Sequence, residues 1–474
     1  MSITLPSQDA AVFSQRRRVV QSGIHGRAAL FYAGNLRPRN YPANVYPFRA
    51  DSHFLYLTGC SIPGAVLMLT EGGSKLFLEP PTPGDALWHG ESPDFDAIRR
   101  ATGVESVFAL SDLEPAISNV GGAAEVATLP TADPIARLRQ AQQLGRNWTD
   151  PDRTDVLSPI DGSLADSVIA ARLLHDAAAI EQLHHAAAGT KAAHLAGMAV
   201  TRAGILEHEV CAAMEAKLSA RGQTTAYGSI VTVRGDVLHN FSHDNRLQDG
   251  DLLLADVGAE HEGWAGDVTR TWPVSGRFSP TQRAIYEIVV QAQLDAIALV
   301  RSGNRYRDVH LRAAQTIARG LVDEGILRGD VDNLVERGAH ALFFPHGIGH
   351  LLGLDVHDME GLGDRASYGP DRARSKQFGL SFLRLDLDLR PGMAVTVEPG
   401  IYFVPAILNN NTLIGPFVAD GSLDLAGVAR FSDVRGIRVE DDILCTDEEP
   451  EVLSVGIPKT LCEVESTVGT ATIV

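Results

Sequence analysis

Cysteine is scarce in this 474-residue sequence, and none of its four cysteines forms a CxxC pair with another. Zinc ribbons and disulfide frameworks need closely spaced cysteines, so neither is expected. Scattered single thiols are typical of a reducing compartment. The N-terminal residues also lack the basic region and apolar run of a secretory signal peptide. We therefore expect a cytoplasmic protein.

Positive charge is also in short supply, because 41 Lys and Arg residues stand against 59 Asp and Glu, for a net charge of −18 at pH 7. Nucleic-acid-binding proteins carry a basic footprint, so we expect no nucleic-acid partner. No apolar run approaches the roughly 20 residues that cross a bilayer, so we expect no membrane partner. The apolar fraction of 45% fits an ordinary globular protein.

The chain is longer than a single hydrophobic core usually grows, so two domains are expected. Helical and strand-like segments alternate up to about residue 146, which is typical of an α/β domain. Residues 147–166 are polar and contain two prolines and a glycine, so we place the domain boundary there. A long surface loop within one domain is the alternative. The predicted domains are residues 1–160 and 161–474.

The second half alternates between helical and strand-like blocks. Residues 167–220 are rich in Ala and Leu with a helical period, and strands are expected at 229–233 and 237–241. Residues 251–271 read as two strands joined by a Gly-containing turn. Further helices at 281–300 and 305–325 precede more strands. This succession suggests an internal duplication of helix-then-strand units, although no direct sequence repeat is visible.

Asp256 and Asp267 lie eleven residues apart within apolar surroundings, and no Lys or Arg separates them. Burying a carboxylate costs free energy unless a positive partner holds it. A metal ion is therefore a candidate partner for this pair.

Four further motifs carry chemical groups that could complete a metal site. Each alone is compatible with a turn or a strand end, and HGIGH is not the helical HExxH zinc motif because its glycines disfavour a helix. Together they add one His and two Glu to the two Asp. Such a set suits Mn²⁺, Co²⁺ or Zn²⁺, and two ions about 3.5–4 Å apart could share bridging carboxylates and activate a water. The motifs are FPHGIGH (344–350), GLDVHD (353–358), TVEPGIY (396–402) and GIRVEDDI (436–443).

These motifs, together with LLLADVGAEHEGWAGDVTRTWPVSG and, in the first half, YPFRADSHFLYLTG and the loop carrying Trp88, resemble the M24B Xaa-Pro peptidases, prolidase and aminopeptidase P. The resemblance covers nearly the whole chain. It implies an α/β (α+β) protein with an aminopeptidase-P-type N-terminal domain followed by a pita-bread metallopeptidase domain. It further implies hydrolysis of the Xaa-Pro bond at the N-terminus of a di- or oligopeptide, in a homodimer or higher homo-oligomer.

The resemblance also implies roles for particular residues. Two divalent ions are expected, Mn²⁺ first with Co²⁺ or Zn²⁺ as alternatives, and Asp267 and Glu440 would bridge them. The implied metal ligands are Asp256, Asp267, His350, Glu398 and Glu440. The implied catalytic residues are His357, Glu398, His346 and Arg438. The implied substrate-binding residues are His239, His346, His357 and Arg384.

Two sister activities and one different class remain open. A dipeptidase needs a cation for the substrate's C-terminal carboxylate, and Arg384 stands in a segment that resembles prolidases. Arg39-Asn40-Tyr41-Pro42 departs from the Arg-Asn-x-Asp element associated with tetrameric aminopeptidase P. We therefore favour a prolidase, with aminopeptidase P as the alternative. A metal-free peptide-binding module is the remote alternative, and the intact ligand positions argue against it.

Overall fold

The computed structural model describes residues 3–82, 84–148 and 157–471. The chain divides into two compact units, Met1–Leu173 with Met359–Ala366, and Leu174–Asp358 with Ser367–Val474. The predicted domain division between residues 160 and 161 stays a prediction, and part of the polar stretch that motivated it, residues 149–156, lies outside the described residues. None of the helices in the described parts is both long and apolar enough to cross a bilayer.

The first unit is built on a mixed sheet with the strand order β6-β5-β4-β1-β7. Strand β1 is antiparallel to β4 and parallel to β7, and β5 is antiparallel to β4 and parallel to β6. The strands are β1 (Ala28–Tyr32), β2 (Pro38–Tyr41), β3 (Asn44–Val45), β4 (Val66–Thr70), β5 (Gly73–Leu78), β6 (Ser106–Ala109) and β7 (Val126–Thr128). The helices are α1 (Ala10–Gly23), α2 (Ser52–Thr58), α3 (Asp85–His89), α4 (Phe95–Thr102), α5 (Leu113–Asn119), α6 (Pro134–Leu144) and α7 (Pro159–Arg172).

Local sequence explains several of these elements. Asp9 caps α1 by accepting from the Ala11 amide, and Gly59 ends α2 in the left-handed conformation with φ 69°. The predicted alternation of helical and strand-like segments up to about residue 146 is confirmed, and β4 and β5 form a hairpin. The prediction of a loop around Trp88 is wrong, because α3 covers residues 85–89. Asp85 accepts hydrogen bonds from the Thr82 amide and hydroxyl, which stabilises the start of this short helix.

The second unit contains the long predicted helices and a series of short strands. The helices of the chain after residue 173 are α8 (Ala177–Val200), α9 (Glu207–Ser219), α10 (Pro280–Ile297), α11 (Tyr306–Asp323), α12 (Val331–Glu336), α13 (Asp364–Ser367), α14 (Pro405–Leu408), α15 (Asn411–Ala419), α16 (Leu425–Ala429) and α17 (Leu461–Thr467). The strands are β8 (Thr224–Thr225), β9 (Ile230–Thr232), β10 (Leu252–Asp256), β11 (Ala259–His261), β12 (Trp264–Ala265), β13 (Thr269–Pro273), β14 (Ala394–Val397), β15 (Gly400–Tyr402), β16 (Gly436–Arg438), β17 (Asp441–Leu444) and β18 (Glu451–Val452).

Two helix pairs, each followed by an antiparallel sheet, make up the second unit. Helices α8 and α9 precede the sheet β13-β10-β9, and α10 and α11 precede the sheet β14-β17-β18. The Thr271 hydroxyl of β13 donates to the Arg438 carbonyl of β16, which links the two halves of this unit. His194 of α8 is buried, and its Nε2 lies 3.1 Å from the carbonyl oxygens of Val257 and Val268. This packed histidine ties α8 to the strands that carry the two aspartates.

Two strand predictions differ from the structure. Residues 237–241 form turns and irregular backbone rather than a strand, and the Val237 amide donates to the Arg234 carbonyl over 2.8 Å, which closes a turn at the start of this segment. The predicted two-strand hairpin over residues 251–271 contains four strands. Strands β10 and β13 do pair directly, with Asp256 opposite Thr269, but a second hairpin of β11 and β12 is inserted between them.

Candidate active site

The side chains of Asp256 and Asp267 come together, although Asp256 lies on a strand and Asp267 lies in the segment between two strands. Asp256 is the last residue of β10, and Asp267 lies two residues before β13 begins. The Tyr227 hydroxyl lies 2.6 Å from Oδ1 of Asp256 and 2.6 Å from Oδ1 of Asp267. The pairing of β10 with β13 therefore presents both carboxylates to one buried point.

The second half of the chain brings His350 and Glu398 to the same region. Glu398 follows β14, and its amide donates to the Ile348 carbonyl, while the Thr396 amide donates to the His350 carbonyl. The loop of residues 346–350 thus runs along β14. This approach needs Gly349, because a Cβ there would lie 2.3 Å from the Thr396 carbonyl oxygen.

Acidic and imidazole groups come together at the centre of the site. Ligand atoms of Asp267, His350 and Glu440 all lie within 4.8 Å of one another. Nε2 of His350 is 3.4 Å from Oδ2 of Asp267 and 3.7 Å from Oε1 of Glu398. The Thr269 hydroxyl donates to Oε2 of Glu440 over 2.7 Å, which orients that carboxylate. This geometry can hold a divalent cation.

The carboxylates of the cluster destabilise one another's charged forms. Burial, and then the charge of Asp256, raises the pKa of Asp267 to about 8. Burial, with further contributions from Asp267 and Asp256, raises the pKa of Glu398 to about 7. Burial and the charges of Asp267 and Glu398 raise the pKa of Glu440 well above its usual range. Crowded buried acids of this kind favour a bound cation, because a cation restores their charged forms.

Arg438 is the buried guanidinium beside the cluster. It donates to Oδ2 of Asp256 over 2.6 Å, to the Thr269 hydroxyl over 2.9 Å and to the Tyr402 hydroxyl over 3.1 Å. Only 4% of Arg438 is exposed. Arg438 thus bonds the Asp256 oxygen that Tyr227 does not contact, and the two residues together fix the orientation of this carboxylate.

His346 is held as a neutral ring in a defined tautomer. Burial lowers the pKa of His346 to about 3, so its 3.8 Å approach to Glu398 is a contact between a neutral ring and an acid rather than an ion pair. Nδ1 lies 2.8 Å from the Gly347 carbonyl oxygen, which can only accept, so Nδ1 carries the proton. Nε2 therefore accepts from the Tyr402 hydroxyl over 2.9 Å.

The predicted substrate-binding residues line one cavity of about 520 Å³ together with the acidic cluster. The ring of His357 lies 4.1 Å from that of His350, centroid to centroid. The cavity lining includes the predicted site residues His239, Asp256, Asp267, His346, His350, His357, Arg384, Glu398, Arg438 and Glu440. The structure therefore brings every predicted site residue together, while their individual roles stay predictions.

Sequence reasoning missed several residues of the site. Tyr227 and Thr269 hold the carboxylates, and Asp442 accepts from the Asp267 amide through both of its oxygens, at 3.2 and 3.0 Å. Arg374, Phe378, Ser381 and Phe382 also line the cavity. Asp442 could have been suspected from the acidic run Glu440-Asp441-Asp442, whereas no local pattern distinguishes Tyr227. Its role depends on contacts with residues 29 and 40 positions away.

The fold and the site define a class of protein. Residues 181–447 match metallopeptidase family M24, and residues 13–128 match the N-terminal domain of aminopeptidase P. The chain belongs to metallopeptidase family M24 and is a metallo-exopeptidase with a pita-bread catalytic domain.

Known proteins within this class resemble the chain over almost its whole length. An Xaa-Pro aminopeptidase of Haemophilus influenzae is 30% identical, with 98% of this chain and 97% of that protein covered. The structure of Pseudomonas aeruginosa aminopeptidase PepP matches with a TM-score of 0.79 and 31% identity, covering 98% of each chain. Escherichia coli aminopeptidase P with the inhibitor Pro-Leu matches with a TM-score of 0.78 and 29% identity, covering 97% of this chain and 98% of that one.

Proposed function

We propose that this enzyme is an Xaa-Pro aminopeptidase, which releases the N-terminal residue from peptides whose second residue is proline. The observation that carries the proposal is the cavity of about 520 Å³, which joins the acidic cluster to a wall of histidines. Its volume lies in the range of pockets that enclose small ligands, about 300–1,000 Å³. The relatives support an aminopeptidase rather than the dipeptidase favoured by the sequence, since those of Haemophilus influenzae and Escherichia coli are Xaa-Pro aminopeptidases.

The donor set fits divalent metal ions. Four carboxylates and one imidazole, from Asp256, Asp267, His350, Glu398 and Glu440, are typical ligands of Mn²⁺, Co²⁺ and Zn²⁺, and three of these residues already converge within 4.8 Å. We propose two ions, with Mn²⁺ as the physiological metal. When bound, such ions supply a Lewis acid and an activated water.

The protein's own residues would then act on the substrate. Glu398 lies between His346 and His350, where its carboxylate can accept a proton from the attacking water. His357 lies against His350 and can donate a hydrogen bond to the developing oxyanion. Arg438 donates to Tyr402, which donates to His346, so this chain of hydrogen bonds fixes the ring that faces the substrate.

A comparison of a dipeptide with a tripeptide as substrates tests this proposal. With Mn²⁺ present, the purified enzyme should cleave Ala-Pro-Gly with a much higher kcat/KM than Ala-Pro, measured by release of free alanine. Failure to cleave any peptide with proline second would refute the proposal. Preference for Ala-Pro over longer peptides would refute it in favour of a dipeptidase.

One observation favours the dipeptidase as the second candidate, namely that Arg384 lines the cavity. A guanidinium there can bind the carboxylate directly after proline. If the enzyme is a dipeptidase, Arg384→Ala should lower kcat/KM for Ala-Pro far more than for Ala-Pro-Gly. Equal losses on the two peptides would remove this reason for a dipeptidase. Arg390→Ala, at an exposed arginine that does not line the cavity, is the matched control.

We also propose a cytoplasmic homodimer or higher homo-oligomer, in which residues 1–160 form the N-terminal domain of each chain and residues 161–474 form the catalytic domain. Scattered cysteines support the compartment, and the family resemblance supports the assembly. Light scattering coupled to size-exclusion chromatography tests the assembly, and a mass near 50.8 kDa would contradict it.

A further inference from the structure

Two phenylalanines in the same cavity as the acidic cluster have no part in the chemistry proposed so far. Phe378 and Phe382 both line the active-site cavity, and their ring centroids are 6.3 Å apart at 88°. Phe382 is 54% exposed, which is unusual for a large apolar side chain inside a catalytic cavity. Ile407 lines the same cavity and is half-buried. Covering such exposed apolar surface with an apolar part of a ligand is favourable, because it removes that surface from water.

The position of the pair relative to the acidic cluster is fixed by close backbone packing. Glu398 contacts His346 over 3.8 Å, and His346 is followed by Gly347. The segment of residues 382–384 lies directly on Gly347, where a Cβ would be 3.0 Å from the Phe382 carbonyl oxygen and 3.4 Å from the Arg384 amide nitrogen. The backbone that carries Phe382 therefore packs against the residue next to His346, which itself contacts Glu398.

Glu398, His346, Phe378 and Phe382 all line one cavity, which an extended peptide could occupy. Each residue advances about 3.3–3.6 Å, so a peptide with its scissile bond at the acidic cluster and its proline near His346 places the next residue farther along the cavity. That residue is absent from a dipeptide and present in any longer substrate. Its side chain would reach the region of Phe382.

The segment that carries the two rings is held in place by its own hydrogen bonds. The Leu383 carbonyl accepts from the Tyr368 hydroxyl over 2.6 Å and from Nη1 of Arg374 over 2.8 Å. The Ser381 amide donates to the Gln377 carbonyl over 2.8 Å. Gly379 takes a φ of 86°, and a Cβ on it would lie 2.6 Å from the Ala341 Cβ. The exposed phenyl ring therefore stands on an anchored segment.

We propose that Phe378 and Phe382 form a binding subsite for an aromatic or large aliphatic side chain on the residue that follows proline in the substrate. The proposal rests on the Xaa-Pro aminopeptidase function. Edge-to-face contact between the substrate ring and this pair, with burial of the exposed ring, supplies the selectivity. The subsite makes the enzyme prefer oligopeptides with an apolar third residue.

The test compares Ala-Pro-Phe with Ala-Pro-Gly in the presence of Mn²⁺. The wild-type enzyme should show a kcat/KM about tenfold higher for Ala-Pro-Phe, which corresponds to the covering of one aromatic ring. Phe382→Ala should bring this ratio near one mainly by raising KM for Ala-Pro-Phe, and Phe382→Leu should keep part of it. Val455→Ala removes an exposed apolar side chain outside the cavity and should leave the ratio unchanged.

The outcomes separate the subsite from the function on which it rests. If the wild type cleaves both peptides with equal kcat/KM, the subsite is refuted while the aminopeptidase stands. If neither peptide is cleaved, the proposed function itself fails. A Phe382→Ala variant that keeps the full wild-type ratio also refutes the subsite. The wild-type ratio decides the matter even if the variant does not fold.

Discussion

At the scale of single residues, the Tyr227 hydroxyl holds the carboxylates of Asp256 and Asp267 close to each other. This hydroxyl has one proton and lies 2.6 Å from an oxygen of both Asp256 and Asp267. It can donate to only one of them. Burial and the charge of Asp256 raise the pKa of Asp267, and a hydrogen bond donated by Tyr227 opposes that rise. The hydroxyl therefore sets the orientation of both acids.

Removing this hydroxyl should loosen the metal site without removing a ligand. We expect Tyr227→Phe to lower metal affinity or kcat by about 10–100-fold, as for other residues that orient metal ligands. Isothermal titration with Mn²⁺ and steady-state kinetics measure the two effects. Tyr286→Phe is the matched control, because the buried Tyr286 hydroxyl donates to the Lys459 carbonyl outside the cavity. Equal metal affinity in Tyr227→Phe and wild type would contradict the orienting role.

At the scale of elements, the site depends on the close approach of a glycine loop to a strand. The loop of residues 346–350 pairs with β14 only because Gly349 lacks a side chain, and this pairing points His350 at Asp267. The FPHGIGH motif thus has a structural as well as a chemical meaning. Its second glycine, Gly349, lets β14 approach the loop closely, and its second histidine, His350, lies within the acidic cluster.

A methyl group at Gly349 should separate the loop from β14. A Cβ there would lie 2.3 Å from the Thr396 carbonyl oxygen and 2.4 Å from the Tyr306 hydroxyl, so the backbone must shift. We expect Gly349→Ala to abolish peptidase activity and weaken Mn²⁺ binding. Gly415→Ala is the control, because Gly415 lies within α15 with no atom near a Cβ, and its substitution should leave activity unchanged. Full activity of Gly349→Ala would contradict the argument.

A buried ion-pair network joins β13, β17 and the C-terminal segment. Arg270 and Lys459 each lie 2.7 Å from a different oxygen of Asp441, and Arg270 and Asp441 are each 1% exposed. Burial opposes the charged form of Asp441, but the two cations outweigh it and hold its pKa well below the usual range.

Breaking this network should cost stability. Asp441→Asn would leave a buried guanidinium without its counter-charge, and we expect the free energy of unfolding to fall by about 3–5 kcal/mol. Urea denaturation of the metal-free proteins measures the change and separates it from metal binding. Asp433→Asn, at an exposed carboxylate that accepts from Ser279 and Thr281, should cost less than about 1 kcal/mol. Equal stability of Asp441→Asn and wild type would contradict the network's role.

At the scale of the whole molecule, the sequence predicted the class of fold and the residues that line the site. It did not predict the residues that hold those side chains in place. The long helices α8, α10 and α11 and the acids beside β10, β14 and β16 follow from local periodicity and motifs. The role of Tyr227 was not predictable, because it depends on contacts with Asp256 and Asp267, which lie 29 and 40 positions away. The expectation of a dipeptidase rested on Arg384 and on the departure from the aminopeptidase P element at residues 39–42. The presence of Arg384 in the cavity does not by itself set the length of the substrate.

We have proposed a two-metal site whose bridging ligands include Asp267. The most direct test measures bound metal by mass spectrometry, together with turnover of Ala-Pro-Gly, in wild type, Asp267→Ala and the exposed-residue control Asp249→Ala. We predict about two Mn²⁺ ions per chain in wild type and control, and loss of both ions and of all activity in Asp267→Ala. Full turnover of the wild type after exhaustive chelation, or two bound ions in Asp267→Ala, would contradict the account.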